Sequence, residues 1–204
     1  MLKLYQFHPS GNCYKVRLLL HQLGIPFTAE EMDLGTGAAK TPEFKAKNPI
    51  ARVPLLELEP GVFLAESNAI LWYFAEGTAF IPTDKLERAR MLQWMFFEQY
   101  SHEPYIAVVR AWLSFFGIPE GKERELEERT QKGYAALDVM EGELTKRPFF
   151  AGERYSLADI ALYAYTHVAQ EGRFDLSRYP AIHAWFARVQ AQPRHLRITD
   201  PVPA

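Results

Sequence analysis

The sequence predicts an α/β domain followed by an all-α domain, and three observations carry that expectation. Residues 2–77 interleave short alternating segments with stretches of helical periodicity, in the order β-α-β-β-β-α. From about Leu86 onward no convincing strand pattern recurs, and apolar residues repeat at helical spacing. Between the two, Gly77 to Lys85 carries Pro82 and reads as a connector. The expected domains are 1–78 and 86–204, with a linker at about 79–85.

Leu2 and Leu4 fall on one side of the first segment and Tyr5 and Phe7 on the other, the alternation of a short strand. His8-Pro9-Ser10-Gly11 ends it. Val16, Leu19, Leu20 and Leu23 recur at i, i+3, i+4 and i+7, and Gly24 with Pro26 supplies the stop, so a helix is predicted over 12–23. Phe27 to Met32 is the second strand, and so short a strand-helix-strand unit implies a parallel pair. Residues 41–47 read as irregular. Leu55–Leu58 and Val62–Leu64 flank Glu59-Pro60-Gly61, whose proline and glycine suit the central positions of a type II turn, predicting an antiparallel hairpin. Ile70, Leu71 and Phe74 then give a helix from Ser67 to Glu76.

In the second domain, Leu86 to Phe116 reads as nearly continuous helix kinked at Pro104, which has no backbone N–H to donate. A second long helix is predicted over 122–145. Ser156 and Asp159 form a capping box, with Tyr155 positioned as a staple onto Ile160, so a buried helix starts at Ser156. Ile182, Trp185, Phe186 and Val189 give a last helix after Tyr179-Pro180, and Pro193 opens a polar tail.

Composition removes several function classes. The 204 residues are 48% hydrophobic and 14% aromatic, enough for real cores, and the formal charge of −2 gives no field to gather nucleic acid. No apolar run approaches the roughly 18 residues of a membrane helix, and no leader precedes the first strand, so a cytoplasmic location away from membranes is expected. Cys13 is the single cysteine, which excludes an internal disulfide and a Cys-rich zinc site. The six histidines show no metal-ligand spacing, so no metal is expected.

Arg52-Val53-Pro54, followed by Glu66-Ser67 at a helix start, reads as a socket for a small zwitterionic peptide. A proline closing a loop can hold a cis bond that turns the preceding backbone outward, letting Val53 pair with a ligand's main chain. Glu66 and Ser67 supply an acceptor for an ammonium and donors for a carboxylate. Ser10-Gly11-Asn12-Cys13 lies where the first strand gives way to the first helix, whose free N–H groups stabilise an anion such as a thiolate. Ser10 and Asn12 are equally readable as helix caps. Cys13 is readable as a low-pKa thiol or as a buried small hydrophobe.

With these residues in place, the chain resembles the cytosolic glutathione transferases over nearly its whole length. Four segments match in order: Ser10 at the strand-to-helix junction, Asn48-Pro49-Ile50-Ala51-Arg52-Val53-Pro54, Glu66-Ser67-Asn68-Ala69-Ile70 and Ser156-Leu157-Ala158-Asp159-Ile160-Ala161. The resemblance implies a thioredoxin-like domain followed by a helical-bundle domain. It implies glutathione as co-substrate, a cis bond before Pro54, Val53 pairing with the cysteinyl unit, and Glu66 and Ser67 at the γ-glutamyl end. Lys40 and Arg52 fall near the glycine carboxylate, or are solvated surface charges.

Ser10 matches the thiolate-binding serine of the theta, delta and zeta-like groups. The chain is also similar to bacterial, nu-like members in which Thr-x-Asn fills this place and the main activity is disulfide reduction by glutathione. Ser10-Gly11-Asn12 fits that pattern with serine for threonine and makes Asn12 a second thiolate donor, while Tyr5 is read as packing. Cys13 matches a cysteine used by beta-class members only loosely. The resemblance places an electrophile pocket between the domains, lined by Phe7, His8, Tyr105, Ile106, Val109 and Arg110, the last needing a carboxylate, a substrate anion or solvent as partner. Ser101 and His102 fall toward the other subunit of a homodimer, or on the surface. The expected reaction is transfer of glutathione to a small hydrophobic electrophile. Reduction of a disulfide or peroxide in the same site and a non-catalytic binding module are the alternatives.

Overall fold

A computed structural model describes residues 1–202 of the chain. It divides into two compact units, Met1–Glu76 joined by the described residues of the segment from Pro193, and Gly77–Gln192.

The first unit is built on a four-stranded sheet in the order β2-β1-β3-β4, with β1 Leu2–Gln6, β2 Phe27–Glu31, β3 Leu55–Glu59 and β4 Val62–Ala65. β1 runs parallel to β2 and antiparallel to β3, and β3 and β4 form the expected hairpin, turned at Gly61 with φ 82°. Period-two alternation splits the core into two layers. Leu4 and its partner Leu56 join Val16, Leu20, Phe27 and Ile70 on one face, whereas Tyr5 and its partner Leu55 join Met32, Ala39 and Phe44 on the other. Tyr5 is packing, as its sequence position implies: it is buried between Phe44 and Phe63, with its hydroxyl on Glu57 at 3.1 Å.

Helix α1 spans Gly11–Leu23, closed by Gly24 in the left-handed region, and α3 spans Ser67–Ala75. Residues 41–47, expected to be irregular, contain α2, Pro42–Lys47, capped by Thr41 Oγ1 accepting from the Phe44 N–H at 3.2 Å. Six residues with one buried side chain, Phe44, are too short to show a helical period. The Thr-Pro start was the available signal.

The segment from Pro193, expected to finish the helical domain, belongs instead to the first unit. Three side chains of α1 reach its carbonyls: Tyr14 Oη donates to Leu196 O at 2.6 Å, Arg17 Nη2 to Ile198 O at 3.1 Å, and His21 Nδ1 lies 2.8 Å from Arg194 O. Arg17 is fully buried and also donates to Gln6 Oε1 at 2.7 Å and His8 O at 2.9 Å. It thereby pins both the chain entering α1 and the distant tail.

The second unit is helical: α4 Lys85–Phe97, α5 Glu103–Ala111, α6 Glu123–Leu144, α7 Leu157–Thr166 and α8 Pro180–Gln190. Residues 85–116 are helical without a break, as expected, and the irregularity expected at Pro104 takes the form of a π-helical turn over Glu98–His102, which leads into α5 with the proline, lacking an N–H, in its first turn.

Every residue of α7 is buried. Its start is fixed by Asp159, which accepts from the Ser156 N–H at 2.9 Å, Ser156 Oγ at 3.0 Å, the Phe150 N–H at 3.1 Å and Trp185 Nε1 at 3.0 Å. Burial pushes the carboxyl up to about 6, against the pull of those donors. Tyr155 stacks edge-on against Phe80 and Phe149. Asp159→Ala strands buried donors at roughly 1–3 kcal/mol each, so urea unfolding is expected to show a loss of about 3 kcal/mol or more. Ser156→Ala, which removes one hydroxyl, is expected to cost only about 1 kcal/mol.

Candidate functional site

Ser10 is the N-cap of α1, in extended conformation, with its N–H donating to Phe7 O at 2.9 Å. Its Oγ accepts from the Cys13 N–H at 3.4 Å, a long bond that commits the hydroxyl only weakly to capping. The hydroxyl proton is not used in that bond and can be donated. The positive end of the helix dipole makes the same spot favourable to an anion.

Across the sheet, the β4-to-α3 junction brings up the second half of the site. Glu66 caps α3 at φ 68°, a left-handed conformation costing a non-glycine residue of the order of 1–3 kcal/mol. Such strain persists where the surroundings over-determine it, and here it leaves the Glu66 carboxylate exposed beside a buried Ser67. Ser67 Oγ donates to Asn12 Oδ1 at 3.2 Å. Lys15 Nζ, on a fully buried side chain, donates to the same Oδ1 at 2.8 Å and lies 3.5 Å from Ser67 Oγ. Two motifs 55 positions apart in sequence therefore meet through one amide oxygen.

The third part is the loop before β3. The Val53–Pro54 bond is cis, as expected. Asn48 shapes the loop from inside, donating through Nδ2 to Arg52 O at 2.8 Å and accepting from the Ile50 N–H at 3.2 Å. Ala51 takes φ 57° at the tightest point. Arg52 and Lys40 are both exposed.

Sequence reasoning missed Lys15 altogether and treated Asn48 only as part of a matching segment. A lysine inside an otherwise apolar helix face was the signal for the first.

Phe7 and His8 are half-buried in the chain leading to Ser10. The His8 N–H donates to Glu31 Oε1 at 2.6 Å, and burial, helped by the Arg17 charge, pushes the His8 ring below its usual value and favours the neutral form.

In the second unit, Tyr105 is half-buried with Lys132 Nζ 5.3 Å from its ring centre, while Ile106 and Val109 are fully buried. The partner that Arg110 required is a carboxylate: Glu171 lies 2.7 Å from Nη2 and 2.9 Å from Nε. Ser101 is half-buried. His102 is not on the surface. It is fully buried with Nε2 2.9 Å from Thr166 Oγ1 of α7, on the same face as the buried Met91, Met95 and Glu98, and it has no surface to offer a partner subunit.

Cys13 is fully buried, and burial pushes its thiol up to about 11 despite hydrogen bonds to Phe7 and Ser10 and the nearby Arg17 charge. The low-pKa reading of this thiol is thereby overturned, and the small-hydrophobe reading holds. Among the described residues no group of three or more His, Cys, Asp or Glu side chains is arranged to hold a metal ion, and no helix is long and apolar enough to cross a membrane.

Residues 1–76 match the glutathione S-transferase N-terminal domain, and residues 97–193 match the glutathione S-transferase C-terminal domain. The chain belongs to the glutathione S-transferase family. Among solved structures it is similar to a glutathione S-transferase from Pseudomonas fluorescens Pf-5, at 53% identity and TM-score 0.94 over 98% of this chain and 99% of that one. A further glutathione transferase family member from Pseudomonas fluorescens Pf-5, solved with two glutathione bound, is 27% identical with TM-score 0.82, covering 95% and 89% of the two chains. In Escherichia coli K12 the disulfide-bond oxidoreductase YfcG is 33% identical over 202 residues, 95% of this chain and 92% of its own. The resemblance in the four sequence motifs is thus matched over both domains, and this glutathione S-transferase family member is, like its relatives, an enzyme.

The Cys13 environment gives two checks. Iodoacetamide at pH 8 is expected to label the native protein negligibly and the urea-unfolded protein readily. The native thiol titrates above its ordinary value of 9.0, at about 11, so its contribution is full below about pH 9 and declines as pH rises through about 11. The stability of wild type relative to Cys13→Ala is therefore expected to be flat below pH 9 and to fall above it, measured by urea titration at stepped pH.

Proposed function

We propose that glutathione binds to the first unit as an extended peptide, its thiol at the start of α1 and its γ-glutamyl end at the start of α3. The observation that carries this reading is the contact of Asn12 with Ser67, which fixes the spacing between a thiolate-stabilising helix end and a carboxylate-and-ammonium socket. Glutathione is a zwitterion at that end. The Glu66 carboxylate suits its ammonium, and the Ser67 hydroxyl with the first N–H groups of α3 suits its carboxylate. Val53 pairs with the cysteinyl backbone, and the exposed cations Lys40 and Arg52 lie on the side of the glycine carboxylate.

Ser10 Oγ and Asn12 Nδ2 then donate to the sulfur, favouring thiolate over thiol. The thiolate attacks an electrophilic carbon, forming a C–S bond as the leaving group departs with its electron pair. No metal takes part in this scheme. The same reading includes a cytoplasmic homodimer.

A second reading is supported by a specific observation. The Ser10-Gly11-Asn12 segment, the likeness to a disulfide-bond oxidoreductase and the likeness to a structure with two glutathione bound all suit reduction of a small disulfide. There the thiolate attacks one sulfur of the disulfide, breaking its S–S bond and expelling a thiolate. A second glutathione thiolate attacks the glutathione sulfur of the mixed disulfide, expelling the second thiolate and giving oxidised glutathione.

Steady-state assays with glutathione and either a chlorinated nitroaromatic or a small disulfide separate the two. A hydrogen bond to a charged group contributes about 1.5–3 kcal/mol, so Ser10→Ala and Asn12→Ala are each expected to lower kcat/KM by about 10- to 100-fold, more at pH 6.5 than at pH 8.5. Full activity in Ser10→Ala with loss in Asn12→Ala would move the thiolate contact to Asn12 alone. Absence of both activities, with glutathione still binding in calorimetry, would leave a binding module.

A further inference from the structure

We infer that Lys15 is a positioning residue that orients the Asn12 amide and couples the thiol half of the glutathione site to its γ-glutamyl half. The inference rests on the glutathione reading above and adds a residue to it.

An ammonium has three donors and no acceptor, so the Asn12 atom 2.8 Å from Lys15 Nζ must be the carbonyl Oδ1 and not the amide nitrogen. Ser67 Oγ, a hydroxyl that can donate or accept, then donates to the same oxygen. With Oδ1 held by Lys15 and Ser67, the Nδ2 end, which carries two hydrogens, is directed away from that pair. A donor aimed at a sulfur stabilises thiolate, whereas an acceptor in its place would repel it. Lys15 thus decides which end of the amide the sulfur meets.

Charge adds to geometry. Lys15 is fully buried, so its ammonium acts across a medium that screens far less than water. Its position, against both Asn12 and Ser67, places a positive charge behind the two points where glutathione carries negative charge in the proposed pose. The other ionisable groups near the start of α1 do not duplicate it. Arg17 is committed to Gln6, His8 O and Ile198 O, His8 favours its neutral form, Cys13 stays protonated, and Glu66 is exposed.

The test follows the thiolate absorbance of enzyme-bound glutathione against pH, together with KM for glutathione and kcat, in wild type, Lys15→Met, Lys15→Gln and Lys15→Arg. Lys15→Met is expected to raise the pH midpoint of the thiolate signal by about one unit. That corresponds to about tenfold less thiolate on the acid side of the transition, and KM for glutathione is expected to rise with it. Lys15→Arg, which keeps the charge and donor-only chemistry, is expected to recover most of both. In an Asn12→Ala background, Lys15→Met is expected to lose most of its effect on the midpoint while keeping its effect on KM through Ser67.

A folded Lys15→Met with unchanged midpoint and KM overturns the inference. Should Lys15→Met not fold, Lys15→Gln decides: its amide can still donate to Oδ1, so the midpoint is expected to stay closer to wild type, while loss of the charge is expected to raise KM for glutathione. A folded Lys15→Gln with unchanged KM overturns the coupling to the γ-glutamyl half, and the inference with it. If wild type itself gives no thiolate signal with glutathione, the underlying reading fails, a result distinct from any failure at Lys15.

Discussion

One shared acceptor, Asn12 Oδ1, ties the first unit's chemistry together. Lys15 and Ser67 both donate to it, and those bonds set the distance between the start of α1 and the start of α3. The candidate groups lie around that distance: Ser10 at one helix end, Glu66 at the other, and the loop holding the cis Val53–Pro54 bond. A buried ammonium that lost the amide oxygen would have to find replacement acceptors in a place closed to water, so the arrangement has little freedom to loosen.

The sheet makes that junction possible. β1 delivers Ser10 and β4 delivers Ser67 from the same sheet, with β3 between them, and one core layer locks α1 and α3 on one face through Val16, Leu20 and Ile70. Strain at Glu66 is carried by this rigid frame. Arg17 extends the frame outward by binding the carbonyls of His8 and Ile198, so the loop before Ser10 is braced by residues from the far end of the chain. The helical unit solves a comparable problem differently, gathering four donors on the single carboxylate of Asp159 to begin a wholly buried α7.

What could be read from sequence follows from what is local. The strand alternation around Leu4 and Tyr5, the hairpin at Gly61, the helix start at Ser156 and the serines at positions 10 and 67 are all written within a few residues. Helix α2 escaped because six residues contain no repeat. The tail from Pro193 escaped because its partners, Tyr14, Arg17 and His21, lie more than 170 positions away and bind its carbonyls, which carry no sequence signal. Lys15 escaped for a related reason: its significance lies in Asn12 and Ser67 sharing it, and a contact across 52 positions has no local period. His102 was misjudged from its residue type, since its spacing from the buried Met91, Met95 and Glu98 already places it on the inward face.

The central claim is that the Asn12 amide presents oxygen to Lys15 and nitrogen to the glutathione sulfur. Asn12→Asp tests it most directly, because the replacement is nearly the same shape, changes the atom facing the sulfur from donor to acceptor and adds a negative charge there. One carboxylate oxygen would keep the Lys15 contact while the other faced the thiol. The account expects the pH midpoint of bound-glutathione thiolate to rise in Asn12→Asp by more than in Asn12→Ala. A midpoint equal to wild type in Asn12→Asp, with glutathione still bound, would contradict it.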